Sequence, residues 1–98
     1  MLHIVNKSPL DRNTLQSCLD TAAEGALLLI EDGVYAATSN SAYAGKLTEA
    51  MGRLKVYALK PDLEARGMAD RVLAGVTVVG YDGFVDLVAE YPTCQSWL

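Results

Sequence analysis

Residues 26–30 read Ala-Leu-Leu-Leu-Ile, an apolar run with no polar residue inside it. Successive side chains of a strand point to opposite faces, so a strand with one wet face would place a polar residue at every second position. A short uninterrupted run describes a strand buried on both sides. Such strands belong to parallel sheets, whose crossover helices cover both faces. The surrounding chain has the matching rhythm. Leu2–Val5, Leu54–Leu59 (LKVYAL) and Val76–Val79 (VTVV) are further apolar or β-branched runs, and amphipathic stretches separate them. Four strands divided by helices predict an α/β fold, a three-layer sandwich with a mainly parallel sheet and right-handed crossovers, in the flavodoxin-like manner. A site in such a fold lies beyond the carboxyl ends of the strands, where segments 31–41 and 60–67 gather.

The helices are marked by their ends. Ser8, Pro9 and Asp11 announce one, because Ser8 can accept a free first-turn amide and Pro9 loses no bond at the first helical position. It is expected to run from Pro9 to Ala23 and stop at Gly25, with Leu15, Cys18, Leu19 and Ala22 on its apolar stripe. Val34–Ala37 begins a short helical turn, Ala42–Met51 has helical composition, and Asp62–Gly67 is a short helix. In that last helix Asp62 caps the start and Arg66 complements the dipole at the end. A final helix spans about Gly83–Glu90 with Phe84, Val85, Leu87 and Val88 as its apolar stripe, and Pro92 stops it. The tail that follows is expected as an apolar-ended extension closing on Trp97-Leu98.

With 98 residues the chain is expected to form a single domain, 1–98, with a thin core that partner surfaces help to complete. Its net charge of −4 argues against nonspecific nucleic-acid binding, which needs clustered cations. No apolar run approaches the length that spans a bilayer, and no signal peptide is evident at the start. Two cysteines are too few for a disulfide scaffold. A cytoplasmic protein without membrane contact is the expectation.

The same composition limits the chemistry. A thiolate is the nucleophile of sulfur exchange, so Cys18 is the natural candidate. Against this, it sits mid-helix, away from the N-terminal dipole and from any basic neighbour on its own helix, and free cysteines often serve as small buried hydrophobes. Both readings stand at this point. Cys94 lies in the tail after Pro92. His3 is the single imidazole, in a strand, and reads as a hydrogen-bonded structural residue. Zinc wants three or four nitrogen or sulfur ligands, so no metal is expected, and no cofactor motif is present. Glu31-Asp32-Gly33 reads as a turn whose acids favour the following helix. Tyr35, Tyr43, Trp97 and Leu98 are candidate interface residues, because amphipathic aromatics are enriched at protein contacts.

Five separated segments carry a resemblance that covers nearly the whole chain: LHIVNKSP, LLLIEDGVYAA, KVYALKPDLEARGM, VVGYDGFVDLV and the terminal QSWL. In this order they resemble the DsrH/TusB family. The resemblance implies the smallest subunit of a heterohexamer with two copies each of three homologous α/β subunits, the sisters being DsrE/TusD-like and DsrF/TusC-like. That complex relays sulfur as a cysteine persulfide from a TusA-like donor to a DsrC/TusE-like acceptor. It serves sulfur oxidation in the Dsr branch and 2-thiolation of a tRNA wobble uridine in the Tus branch. The main persulfide cysteine belongs to the DsrE/TusD subunit, so this chain is expected to be non-catalytic or accessory, with no direct nucleic-acid contact. The segment NTLQSCL places Cys18 where DsrH chains of sulfur oxidisers carry a cysteine and TusB chains commonly do not, which sets the chain nearer DsrH. Two other readings remain open: an autonomous sulfurtransferase acting through Cys18, and a small-ligand-binding flavodoxin-like module using Thr38, Ser39, Asn40 and Ser41.

Overall fold

A computed structural model of the chain describes residues 1–97. Five strands form one sheet: β1 (Leu2–Val5), β2 (Gly25–Leu29), β3 (Leu54–Leu59), β4 (Thr77–Val79) and β5 (Cys94–Trp97). Their spatial order is β4-β3-β2-β1-β5, and every neighbouring pair is parallel. The four helices are α1 (Thr14–Thr21), α2 (Ala44–Ala50), α3 (Lys60–Ala65) and α4 (Tyr81–Glu90), and a 3₁₀ segment covers Glu31–Ala37. This is the α/β sandwich expected. Among the described residues no helix is long and apolar enough to cross a membrane.

The uninterrupted apolar run accounts for the position of β2 at the centre of the sheet. Leu27 and Leu29 face one core, and Ala26 and Leu28 face the other; all four are fully buried. The larger core joins Val5, Leu27, Leu29, Val56 and Ala58 of the sheet to Leu15, Cys18 and Leu19 of α1, Leu47 of α2, Leu63 of α3 and Val34 of the 3₁₀ segment. The smaller one sets Leu2, Ala26 and Leu28 against Leu87 of α4.

The strand order explains this asymmetry. Three successive crossovers, β1 to β2, β2 to β3 and β3 to β4, step the same way across the sheet and therefore share a face. The fourth steps back from β4 to β5, so a crossover of the same hand must lie on the opposite face. That leaves α4 as the single helix of the second layer. Its seat on the sheet depends on Gly83: a Cβ there would lie 2.8 Å from Cβ of Val79 on β4. Gly33 has a similar role at the carboxyl end of β1, where a Cβ would meet the Val5 carbonyl oxygen at 2.3 Å.

Some boundaries differ from the sequence reading. The helix expected from Pro9 begins at Thr14. Ser8 instead closes a tight turn: its Oγ accepts the Leu10 amide at 3.2 Å and its carbonyl accepts those of Asp11 and Arg12. At the other end the chain leaves the helix at Ala22, which is already extended. The tail forms a fifth strand that the four-strand reading lacked. Its residues Leu2↔Cys94 to Val5↔Trp97 pair in register along β1.

Candidate functional site

The helices after β3 and β4 leave to opposite faces, so the crevice of the sheet opens at the carboxyl ends of these strands. The residues beside it form a clamp. Glu31, just past β2, has φ of +48°, a left-handed conformation that costs a non-glycine residue on the order of 1 kcal/mol. Its amide donates to Oδ2 of Asp62 at 2.7 Å, which fixes the turn. Asp62 therefore reaches across to the 3₁₀ segment, and α3 has no side-chain cap, contrary to the capping role expected for it. Arg66 donates to Oδ1 of Asp32 through Nη2 at 2.8 Å and Nε at 3.1 Å, and to the Asp62 carbonyl through Nη1 at 3.1 Å. The hydrogen bond to Asp32, helped by the charges of Asp32 and Asp62 against some burial, holds the guanidinium more firmly protonated than usual. The acids after β2 and β3 thus tie α3 to the 3₁₀ segment.

Tyr35 and Tyr43 come together on the same side of the molecule. They line a cleft of about 240 Å³ with Pro9, Leu10, Thr38, Asn40, Ser41 and Ala42. Two of the loop hydroxyls bond within the loop, and only that of Thr38 spends its proton there. Oγ1 of Thr38 donates to the Tyr35 carbonyl at 3.0 Å, and Oγ of Ser41 accepts the Tyr43 amide at 3.0 Å. Lys46 lies over the Tyr43 ring, 5.0 Å from its centroid.

Cys18 is elsewhere. It is fully buried in the larger core under α1. Burial pushes its thiol up to about 11, and the charge of Arg53 only partly opposes this. Arg53, at the start of β3, donates to the Ala22 and Leu19 carbonyls at 2.7 and 2.8 Å and so holds the carboxyl end of α1, which has no basic residue in its last turn. Nothing in the local sequence pairs residues 53 and 22. Cys94 is exposed on β5, and neither cysteine is in a disulfide.

Trp97 lies on the larger-core face of β5 and is half-buried. Its Nε1–H donates to Nδ1 of His3 at 3.1 Å, which makes His3 the structural residue anticipated. Burial, and then the nearby amino terminus, lower the pKa of that imidazole. Leu98 lies outside the described residues. Among the described residues no three His, Cys, Asp or Glu side chains gather as a metal ion would require.

This geometry offers an aromatic cleft and a closed ionic clamp, with one thiol in the core and one on an edge strand. The family model described as "DsrH like protein" matches residues 7–94. Protein TusB of an Enterobacter species is 40% identical over 98 residues, covering 99% of this chain and 100% of the relative. The chain belongs to the DsrH/TusB family. Protein TusB of Pectobacterium atrosepticum is 37% identical and that of Escherichia coli 36% identical, each over 98 residues, with 99% of this chain and all of the relative covered. Of solved structures, the ychN protein from E. coli superposes with a TM-score of 0.81 at 16% identity, covering 97% of each chain. A protein of unknown function from Methanobacterium thermoautotrophicum does so with a TM-score of 0.69 at 25% identity, covering 97% of this chain and 95% of that one. The first of these establishes the fold alone. For the family member described here, the sequence motifs and the sheet order lead to the same α/β architecture.

Proposed function

We propose that this chain is a non-catalytic subunit of a cytoplasmic persulfide relay, assembled as a heterohexamer with DsrE/TusD-like and DsrF/TusC-like sisters. The relay takes sulfur from a TusA-like donor and passes it to a DsrC/TusE-like acceptor. Full-length similarity to TusB chains is the observation that carries this reading. It also favours the Tus branch, 2-thiolation of a tRNA wobble uridine, over the Dsr branch toward which Cys18 pointed. A thiol fully buried and held up to about 11 is a poor nucleophile in the folded chain, so we assign Cys18 to packing and the travelling persulfide to a sister subunit. Tyr35 and Tyr43, with the half-exposed Trp97, then supply contact surface to those sisters.

Coexpression with the two sister subunits tests this reading. Copurification of the three chains in equal ratio, with sulfur transfer to the acceptor that persists in Cys18→Ala, is the expected result. A monodisperse chain that ignores both sisters, or sulfur transfer by the isolated chain at the rate of the mixture, would overturn it.

A further inference from the structure

The sheet ends at β5, and this edge lacks the usual guards. An edge strand leaves a row of backbone donors and acceptors open, and proteins blunt it with charged side chains, prolines or a covering element. The strand Cys94–Trp97 contains no charged residue and no proline. Among the described residues it is also uncovered: every position from Pro92 to Ser96 is exposed, and β1 occupies only one side of the strand.

The pairing with β1 identifies the open groups. The Leu2 amide donates to the Thr93 carbonyl at 3.0 Å, and Leu2 stands in register with Cys94. The N–H and C=O of one residue leave a strand on the same side, and successive residues alternate. Thr93, Gln95 and Trp97 therefore turn their backbone groups toward β1, while Cys94 and Ser96 turn theirs outward. Two residues apart, these offer two donor–acceptor sets with the spacing of an antiparallel ladder. Gln95 shares the larger-core face with Trp97 and stands midway between them.

We infer that β5 pairs antiparallel with β5 of a second copy, about a two-fold axis at Gln95, so that the two sheets continue as one. Any extended chain satisfies open backbone groups; self-complementarity selects the second copy. Centred on Gln95, Cys94 of each strand opposes Ser96 of the other, and all four outward donors find acceptors inside the strands. Centred on Cys94, Ser96 would oppose Pro92, which has no N–H and lies before the strand. Centred on Ser96, Cys94 would oppose residue 98, beyond the strand. At the axis two Gln95 side chains meet, and an amide is its own hydrogen-bond complement, a carbonyl to the other's amino group. The strand brings no like charges together. The inference goes beyond the assembly reading and does not rest on it.

Sedimentation equilibrium of the full chain alone, over a series of concentrations, tests it. The parent should pass from monomer to dimer roughly between 1 µM and 1 mM, as befits a few net hydrogen bonds. Ser96→Pro removes an N–H that the chain's own sheet does not use, so the circular dichroism spectrum should match the parent. It deletes two of the four backbone bonds and should weaken the dimer roughly thirtyfold. Gln95→Lys sets like charges opposite each other and should weaken it roughly fivefold, as should Gln95→Glu. Mixed together, those two variants should pair at least as well as the parent, and high salt should shrink the difference. A parent that stays monomeric throughout, or Ser96→Pro that dimerises like the parent, overturns the pairing. A mixture that associates no better than either charged variant alone overturns the axis at Gln95. A monomeric parent whose assembly with the sister subunits is lost in Ser96→Pro gives the edge to a sister's strand and overturns the second copy. Because the chain is measured alone, a monomeric parent leaves the assembly reading intact.

Discussion

Replacing Cys18 by alanine separates a packing thiol from a working one, because the two roles give opposite signatures with pH. A thiol pushed from its ordinary value near 9 up to about 11 is almost wholly protonated in the folded chain. At neutral pH roughly one Cys18 in ten thousand is ionised, against roughly one in a hundred for an unperturbed thiol. Alkylation by iodoacetamide is therefore slowed about a hundredfold by ionisation alone, before steric protection is added. Exposed Cys94 is the internal reference in the same molecule. The stability consequence follows from linkage. A folded-state pKa above the unfolded value gives stabilisation that is complete below about pH 9 and is lost as pH rises through about 11. Over that window the loss is about 3 kcal/mol. Below it, Cys18→Ala should be the less stable protein by about 1 kcal/mol, since it leaves a small gap in a fully buried site. Above it the order should reverse. Urea titrations at both ends of the window measure the crossover, and mass spectrometry after brief labelling measures the reactivity. Equal labelling of Cys18 and Cys94 in the native protein, or a stability difference that ignores alkali, would refute the reasoning.

Three further outcomes are expected. Arg53→Ala should lose about 1–2 kcal/mol in urea unfolding, because it strips two donors from the carboxyl end of α1, and the Cys18 thiol should become still harder to ionise. His3 has its pKa lowered, so its contribution is present above its ordinary value of 6.5 and is lost as pH falls through that value and below. Trp97→Phe should cost about 1 kcal/mol at neutral pH, and a proton NMR titration of His3 should then move toward its ordinary value. Glu31→Gly should raise stability by up to about 1 kcal/mol in thermal melts, since glycine accepts the left-handed backbone that Glu31 adopts at φ +48°.

Much of the fold was legible because burial on both faces writes itself as an unbroken apolar run. Ala26–Ile30 gave β2, and LKVYAL gave β3 with its observed bounds. β5 was not legible for the converse reason. Cys94, Gln95 and Ser96 are exposed on an edge strand held by backbone pairing to β1, so no apolar pattern marks them. The start of α1 was misread because Ser8 and Pro9 serve a β-turn as readily as a helix, and nothing local says which. At the candidate site the acids and Arg66 were visible as a motif, but their pairing spans more than thirty residues, as in Glu31 with Asp62. Cys18 is the instructive case. Its place on the apolar stripe was evident, and only the packed core determines how completely water is excluded from it.

The pairing of β5 with β1 joins residues 2 and 94, nearly the full length of the chain. Such a contact closes the largest loop available and gains no help from local propensity. The molecule therefore has a seam. Amide protons along β5 should exchange through brief detachment of that edge well before those of β2, which is hemmed in by β1 and β3. Because Trp97 is carried on the detachable strand, each opening also uncovers the flank of His3.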